Sequence, residues 1–122
     1  MVRVDTSVWI ALYRKQDTEL GQRIWMLAAR NDAAVSGQIL VEFLGGFRAA
    51  ATRQTHEARL RAYPFLETTR DAYDLATSLL ATHPRLGAGD AIIAATAMTA
   101  GAELWTLDKD FQPLVAHGLI LS

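Results

Sequence analysis

Short apolar segments alternate along this chain with longer stretches of helical periodicity, and that alternation limits the fold more than any other feature of the sequence. In "VRVDTS", Val2 and Val4 alternate with polar residues and the run ends in an acid and hydroxyls, which predicts a first strand ending at Asp5. "SVWIALYRK" then turns helical, with Ser7 a suitable N-cap. A second helix starts at Thr18, carries Leu20, Ile24 and Leu27 on one face and closes at Asn31. "AAVS" (33–36) predicts a short buried strand, and Ser36 can cap the helix "GQILVEFLGGFRAAA", in which Ile39, Phe43 and Phe47 recur every fourth residue. A short helix over 54–62, a bent strand "YPFLET" (63–68) and a helix capped by Thr69 follow. "DAIIAATAMTAG" predicts a helix with Asp90 at its start and Gly101 at its end, "AELWTL" a strand, and "LVAHGLILS" a last short strand. Strands alternating with helices predict an α/β fold around a small, mainly parallel central sheet.

With 122 residues, the chain predicts one domain over 1–122 that buries about two-thirds of its unfolded surface. No apolar run approaches the ~18 residues of a membrane span, and Asp5, Thr6 and Ser7 interrupt the N-terminal apolar stretch, so the sequence reads as cytoplasmic, with no membrane partner. Cysteine is absent, which excludes disulfides, thiolate zinc sites and cysteine nucleophiles. Twelve basic residues oppose thirteen acidic ones, a balance that does not by itself imply a nucleic-acid partner.

The acids carry the chemistry. Ligands of parallel α/β sheets collect at the carboxyl ends of the strands. Asp5 ends the first strand, Asp108 and Asp110 follow "ELWTL", Asp90 starts the helix leading into that strand, and Glu42 lies in the helix after "AAVS". Ordinary roles compete: Asp90 is a good N-cap, and Asp108 with Asp110 suits an Asx turn. Asp5 is harder to explain that way, since Ser7 already supplies a cap. Glu42 sits between Val41 and Phe43, beside an apolar stripe, with no Lys or Arg at 38, 39, 45 or 46 to pair with it, so it should be paired elsewhere or bound to metal. Two carboxylates about 5 Å apart repel by roughly 3 kcal/mol at an effective dielectric near 20. If these acids converge, they stay partly protonated or take a cation. Oxygen donors without Cys or His suit Mg2+ or Mn2+ rather than Zn2+, and such an ion can activate water for phosphodiester hydrolysis.

"VRVDTSVWIALYR", "SGQILVEFLGG" and "GDAIIAATAMTAGAELWTLDKDF", in that order, resemble the PIN-domain family, and within it the VapC-type toxins of bacterial toxin–antitoxin pairs. The resemblance runs from residue 2 to about 121. It implies a PIN-like three-layer α/β/α sandwich and Mg2+- or Mn2+-dependent endoribonuclease activity. Asp5, Glu42, Asp90 and Asp108 match the acidic constellation that holds metal and activates water. Asp110 falls on the second acid of the D-x-D-F ending, a direct or water-mediated ligand. Thr6 and Thr106 match hydroxyl positions beside the site. The resemblance also implies a homodimer, an RNA substrate, and a cognate VapB-type antitoxin whose C-terminal segment fills the groove and often brings an Arg to the acids.

Arg48, Arg53, Arg59 and Arg61, with His56 against only Glu57, form a basic stretch that either flanks the groove and meets RNA phosphates or is a solvated helical face. His56, His83 and His117 read as surface residues at loops or helix ends; Trp9, Trp25 and Trp105 read as core or dimer-interface residues. Two other classes of function compete. A receiver- or phosphatase-type phosphate handler needs a nearby Lys, yet only Lys15 and Lys109 exist, and the phosphatase version has Thr6 where a second acid belongs. A non-catalytic binding fold would tolerate Asp5→Asn and Asp90→Asn.

Overall fold

A computed structural model describes Met1–Ser122. Four parallel strands, β1 (Val2–Val4), β2 (Ala33–Ser36), β3 (Phe65–Leu66) and β4 (Glu103–Trp105), form one sheet in the order β3-β2-β1-β4. Every residue of β1 and β2 is buried. Consecutive strand residues face opposite sides, so both faces of the sheet are covered, as a three-layer α/β/α arrangement requires.

The helices are α1 (Thr6–Lys15), α2 (Thr18–Ala29), α3 (Gly37–Leu44), α4 (Ala50–Leu60), α5 (Arg70–Thr82) and α6 (Ala88–Thr99). Asp17 caps α2 through the backbone N–H groups of Glu19 and Leu20, and Thr69 caps α5 through that of Ala72. Two helices end alike. Asn31 (φ 54°) and Gly101 (φ 65°) adopt left-handed backbone, and the N–H groups of Asp32 and Ala102 return to the carbonyls of Leu27 and Ala97. Helix α6 presents Ala91, Ile93, Ala94, Ala95 and Ala97 to the interior, and its small side chains let α5 lie close along it with Ala72, Ala76 and Leu79 buried.

Several expectations need correction. Helix α1 starts at Thr6, one residue after Asp5, so Ser7 lies inside its first turn and caps nothing. Ser36 does precede α3, but its hydroxyl makes no capping bond and instead accepts from Arg3. Helix α3 stops at Leu44, where Gly45 and Gly46 follow, and α4 starts at Ala50, earlier than the predicted 54. The first four residues of the predicted final strand instead end a 3-10 helix over Lys109–His117, with Pro113 inside it, which Gly118 stops at φ 104°. Only a single parallel bridge, Leu104 to Leu121, remains of the strand pairing. No helix is long and apolar enough to cross a membrane.

Strand β1 has β2 on one side and β4 on the other, and the chain reverses its direction of winding between them. That is the switch point of the sheet, where the loops after β1 and β4 diverge and leave a crevice. Asp5 follows β1 directly, and Thr106 to Asp110 follow β4.

Candidate active site

The crevice is held together by hydroxyls. Asp5 is almost fully buried, and its Oδ2 accepts from Ser7 Oγ at 2.8 Å and from Thr106 Oγ1 at 2.7 Å. Both hydroxyls are themselves fixed: Ser7 Oγ accepts from the N–H of Leu107 at 3.0 Å, and Thr106 Oγ1 from that of Asp108 at 3.0 Å. The Asp5 N–H donates to the Trp105 carbonyl at 2.9 Å, which locks the ends of β1 and β4 side by side. Asp5 Oδ1 takes no donor from the protein and is free for a ligand. The sequence placed Thr6 and Thr106 beside the site; Ser7 it assigned to a cap.

Asp90 sits in the third position of α6, after the Gly87 N-cap, and caps nothing. Its carboxylate lies in a cluster with Asp108 and Asp110, one oxygen from each within 4.8 Å of the others. Asp108 does make the Asx-type contact expected of it, accepting from the Asp110 N–H at 2.9 Å, so the turn and the cluster coexist. Burial, followed by the charges of Asp108, Asp5, Glu42 and Asp110, pushes the Asp90 carboxyl up to about 6. The other four acids singled out in the sequence therefore all act on Asp90. The chain brings Asp90, Asp108 and Asp110 into contact range and sets Asp5 and Glu42 next to them.

Glu42 is exposed, not packed in the apolar stripe, because it projects from α3 beside the buried Ile39 and Phe43. Its partners are neutral: Thr6 Oγ1 donates to Oε1 at 2.9 Å, and Gln38 Nε2, one turn earlier, donates to Oε2 at 2.7 Å. Helix α6 reaches Glu42 through Gly89, where a Cβ would stand 2.6 Å from Glu42 Oε2 and 2.9 Å from Gln38 Nε2. Gly89→Ala should therefore displace Glu42 while the helix gains propensity. The expected result is a melting temperature equal to or above wild type together with about tenfold lower activity, read by thermal denaturation and turnover on the same preparation.

Beneath these acids lies Arg3, which sequence reasoning passed over. It is completely buried in the inner strand β1, on the Asp5 side of the pleat, and it donates to the Ile93 carbonyl of α6 and to Ser36 Oγ at the end of β2. Burial lowers its pKa to about 10, with Asp5 and Glu42 pulling the other way. The only available signal was its position in a strand whose neighbours on both sides are Val.

A cavity of about 730 Å3 lies away from the acid cluster. It opens between α1, α3 and α4 and is lined by Trp9, Tyr13, Phe43, His56, Arg59 and Tyr63, among others. A second cavity of about 310 Å3 shares Tyr13, Phe43 and Thr52 with it and continues to Glu42, Arg14 and Arg48. The groove thus runs from an aromatic pocket to the edge of the acids. Of the four arginines predicted for RNA, Arg48 and Arg59 line this groove, Arg53 donates to the Phe47 carbonyl, and Arg61 pairs with Glu57 at 2.8 Å. Arg14 lines it too and was missed. His56 lies within α4, stacked on Phe47, and the rings of His83 and His117 meet edge to face 4.8 Å apart. Trp9 and Trp105 are core residues; Trp25 is 72% exposed on α2.

Crowded carboxylates at the switch point of a parallel sheet define an α/β protein with a cation-competent acidic site. Comparison with known proteins narrows the class: the chain belongs to the PIN domain family, whose model matches residues 2–115. It is 35% identical over 113 residues to Ribonuclease VapC10 of Mycobacterium tuberculosis, covering 88% of this chain and 83% of that relative. Among solved structures, it resembles a toxin–antitoxin complex from Klebsiella pneumoniae (26% identity, 91% and 90% of the two chains, TM-score 0.77). It also resembles VapC20 of Mycobacterium tuberculosis, a sarcin–ricin loop cleaving toxin (25% identity, 100% and 98% of the two chains, TM-score 0.71).

Proposed function

We propose that this chain is a metal-dependent endoribonuclease toxin, the VapC-type member of a toxin–antitoxin pair, hydrolysing RNA phosphodiester bonds. The observation that carries the reading is Asp90, a half-buried carboxylate with no hydrogen-bond donor, clustered with Asp108 and Asp110 and raised to about 6 by burial and by their charges together with those of Asp5 and Glu42. Similarity to a ribonuclease and to a toxin–antitoxin complex supports RNA as the substrate class and an antitoxin as the partner.

The donor set fits Mg2+ or Mn2+: carboxylate oxygens, no Cys in the chain and no His among the acids. Asp5, Glu42, Asp90 and Asp108 would hold the ion, with Asp110 as a further ligand. When bound, it supplies Lewis-acid activation of water and of the scissile phosphate. The chain's own residues do the rest. Thr106 and Ser7 aim Asp5 Oδ1 into the crevice, while Thr6 and Gln38 fix Glu42. Asp90, poised near 6, can take up a proton at close to neutral pH. Arg48, Arg14 and Arg59 offer phosphate contacts along the groove, with Arg53 and Arg61 behind them. The aromatic end of the groove receives the C-terminal segment of a VapB-type antitoxin, which places a basic side chain beside Glu42. The active unit is a homodimer.

The test is one experiment on purified protein. Its mass in solution is read first, with twice 13.4 kDa expected. Total cellular RNA is then incubated with wild type or Asp5→Asn, in Mn2+ or in EDTA, and the new 5′ ends are mapped. Discrete cuts are expected for wild type with Mn2+ alone. Equal cutting by Asp5→Asn, or cutting in EDTA, overturns the reading.

A further inference from the structure

Arg3 poses a physical problem that the nuclease reading does not solve. A guanidinium with no exposure to water is costly unless paired, yet the two ion pairs in the protein, Met1 with Asp32 and Arg61 with Glu57, do not involve it. Its bonds go to neutral acceptors, the Ile93 carbonyl and Ser36 Oγ, and its Nε has no partner at all. Such a charge is tolerated only where the surrounding field is negative; Asp5 stands two residues on along the same side of β1, and Ser36, which Arg3 holds, leads directly into α3, the helix that carries Glu42. Its attachment is also specific. Ile93 lies one helical turn after Asp90 on the same face of α6, so the guanidinium ties the turn that presents Asp90 to the floor of the crevice.

We infer that Arg3 is an internal counter-charge of the acidic site: it offsets the repulsion among the carboxylates while no metal is bound, and it opposes a divalent ion once one enters. The second half rests on the metal-dependent reading above. The two halves have opposite signs. A residue that merely packs the crevice would, on removal, lower both stability and ion affinity. A counter-charge lowers metal-free stability and strengthens ion binding.

The experiment compares wild type, Arg3→Met and Arg3→Lys, each alone and combined with Asp90→Asn. In EDTA, Arg3→Met is expected to lower the melting temperature by roughly 5 °C or more, and by only about half as much in the Asp90→Asn background. With Mn2+ followed by the electron paramagnetic resonance of the free ion, Arg3→Met is expected to bind roughly tenfold more tightly, and Arg3→Lys within about twofold of wild type. Equal or weaker Mn2+ binding by Arg3→Met, or a thermal loss independent of residue 90, overturns the inference. Should Arg3→Met fail to fold in EDTA, Mn2+ or Asp90→Asn is expected to restore folding, and failure of both is again fatal. If wild type binds no Mn2+, the metal-dependent reading falls while the thermal cycle still decides the role of Arg3.

Discussion

Asp90→Asn is expected to abolish RNA cleavage, by about a thousandfold or more, while making the metal-free protein more stable. The two effects share one origin. Asp90 is the acid on which the other four press, so its charge is what a bound ion would need and what the metal-free fold resists. Its folded pKa of about 6 lies above the ordinary 3.8, so between those values the folded chain holds more protons than the unfolded one. Stability therefore falls as pH climbs from about 4 to 6, and the full penalty persists above that range. Solvent screening at this half-exposed carboxylate holds the penalty to about 1 kcal/mol, or a few degrees in melting temperature. In EDTA, the melting curves of wild type and Asp90→Asn should coincide near pH 4 and separate by pH 7, with the variant higher. Added Mg2+ should then raise wild type and leave Asp90→Asn unmoved. A variant less stable at pH 7 would mean that Asp90 is held by something other than repulsion.

Thr106→Val carries the second large effect. Valine keeps the shape of threonine and removes one hydroxyl that serves two masters: a donor to Asp5 Oδ2 and an acceptor for the Asp108 N–H. Asp5 would keep only Ser7, and Asp108 would lose the bond that sets its turn. A loss of about 1–2 kcal/mol in stability is expected, along with roughly a hundredfold in cleavage rate, because an ion site tolerates little displacement of its carboxylates. Thr106→Ser, which restores the hydroxyl, should recover most of the rate. Denaturant melts and single-turnover cleavage of a defined RNA check both. A rate within about threefold of wild type in Thr106→Val would show that Asp5 is positioned without Thr106.

Much of this architecture could be read from the chain before any coordinates. The alternation of apolar strands with helices predicted the parallel sheet, and acids at strand ends predicted where the crevice opens. Thr69 and Gly101 announced their helix ends because local backbone chemistry decides them. What stayed hidden depends on distant partners. Ser7 has the composition of a cap, but the nearby Asp5 and Thr106 claim its hydroxyl. The segment 114–122 has strand-like apolar residues, yet Pro113 and Gly118 favour a tight turn-like helix over pairing. Glu42 adjoins a buried stripe in sequence, but one residue of a helix is a rotation of about 100°, enough to bring it to the surface. Arg3 drew no attention among the polar residues alternating with Val2 and Val4, yet an inner strand covered on both faces buries such a residue.

The hydroxyl network joins the end of β1 to the end of β4, far apart in sequence: Asp5 is clasped by Thr106 and by the Trp105 carbonyl. A ribosome therefore releases Asp5 and Glu42 long before, and Asp90 shortly before, the strand that completes their crevice. Until Thr106 has been made, Asp5 lacks its second hydroxyl and the strand end beside it, so the acids gather into one crevice only as β4 is completed.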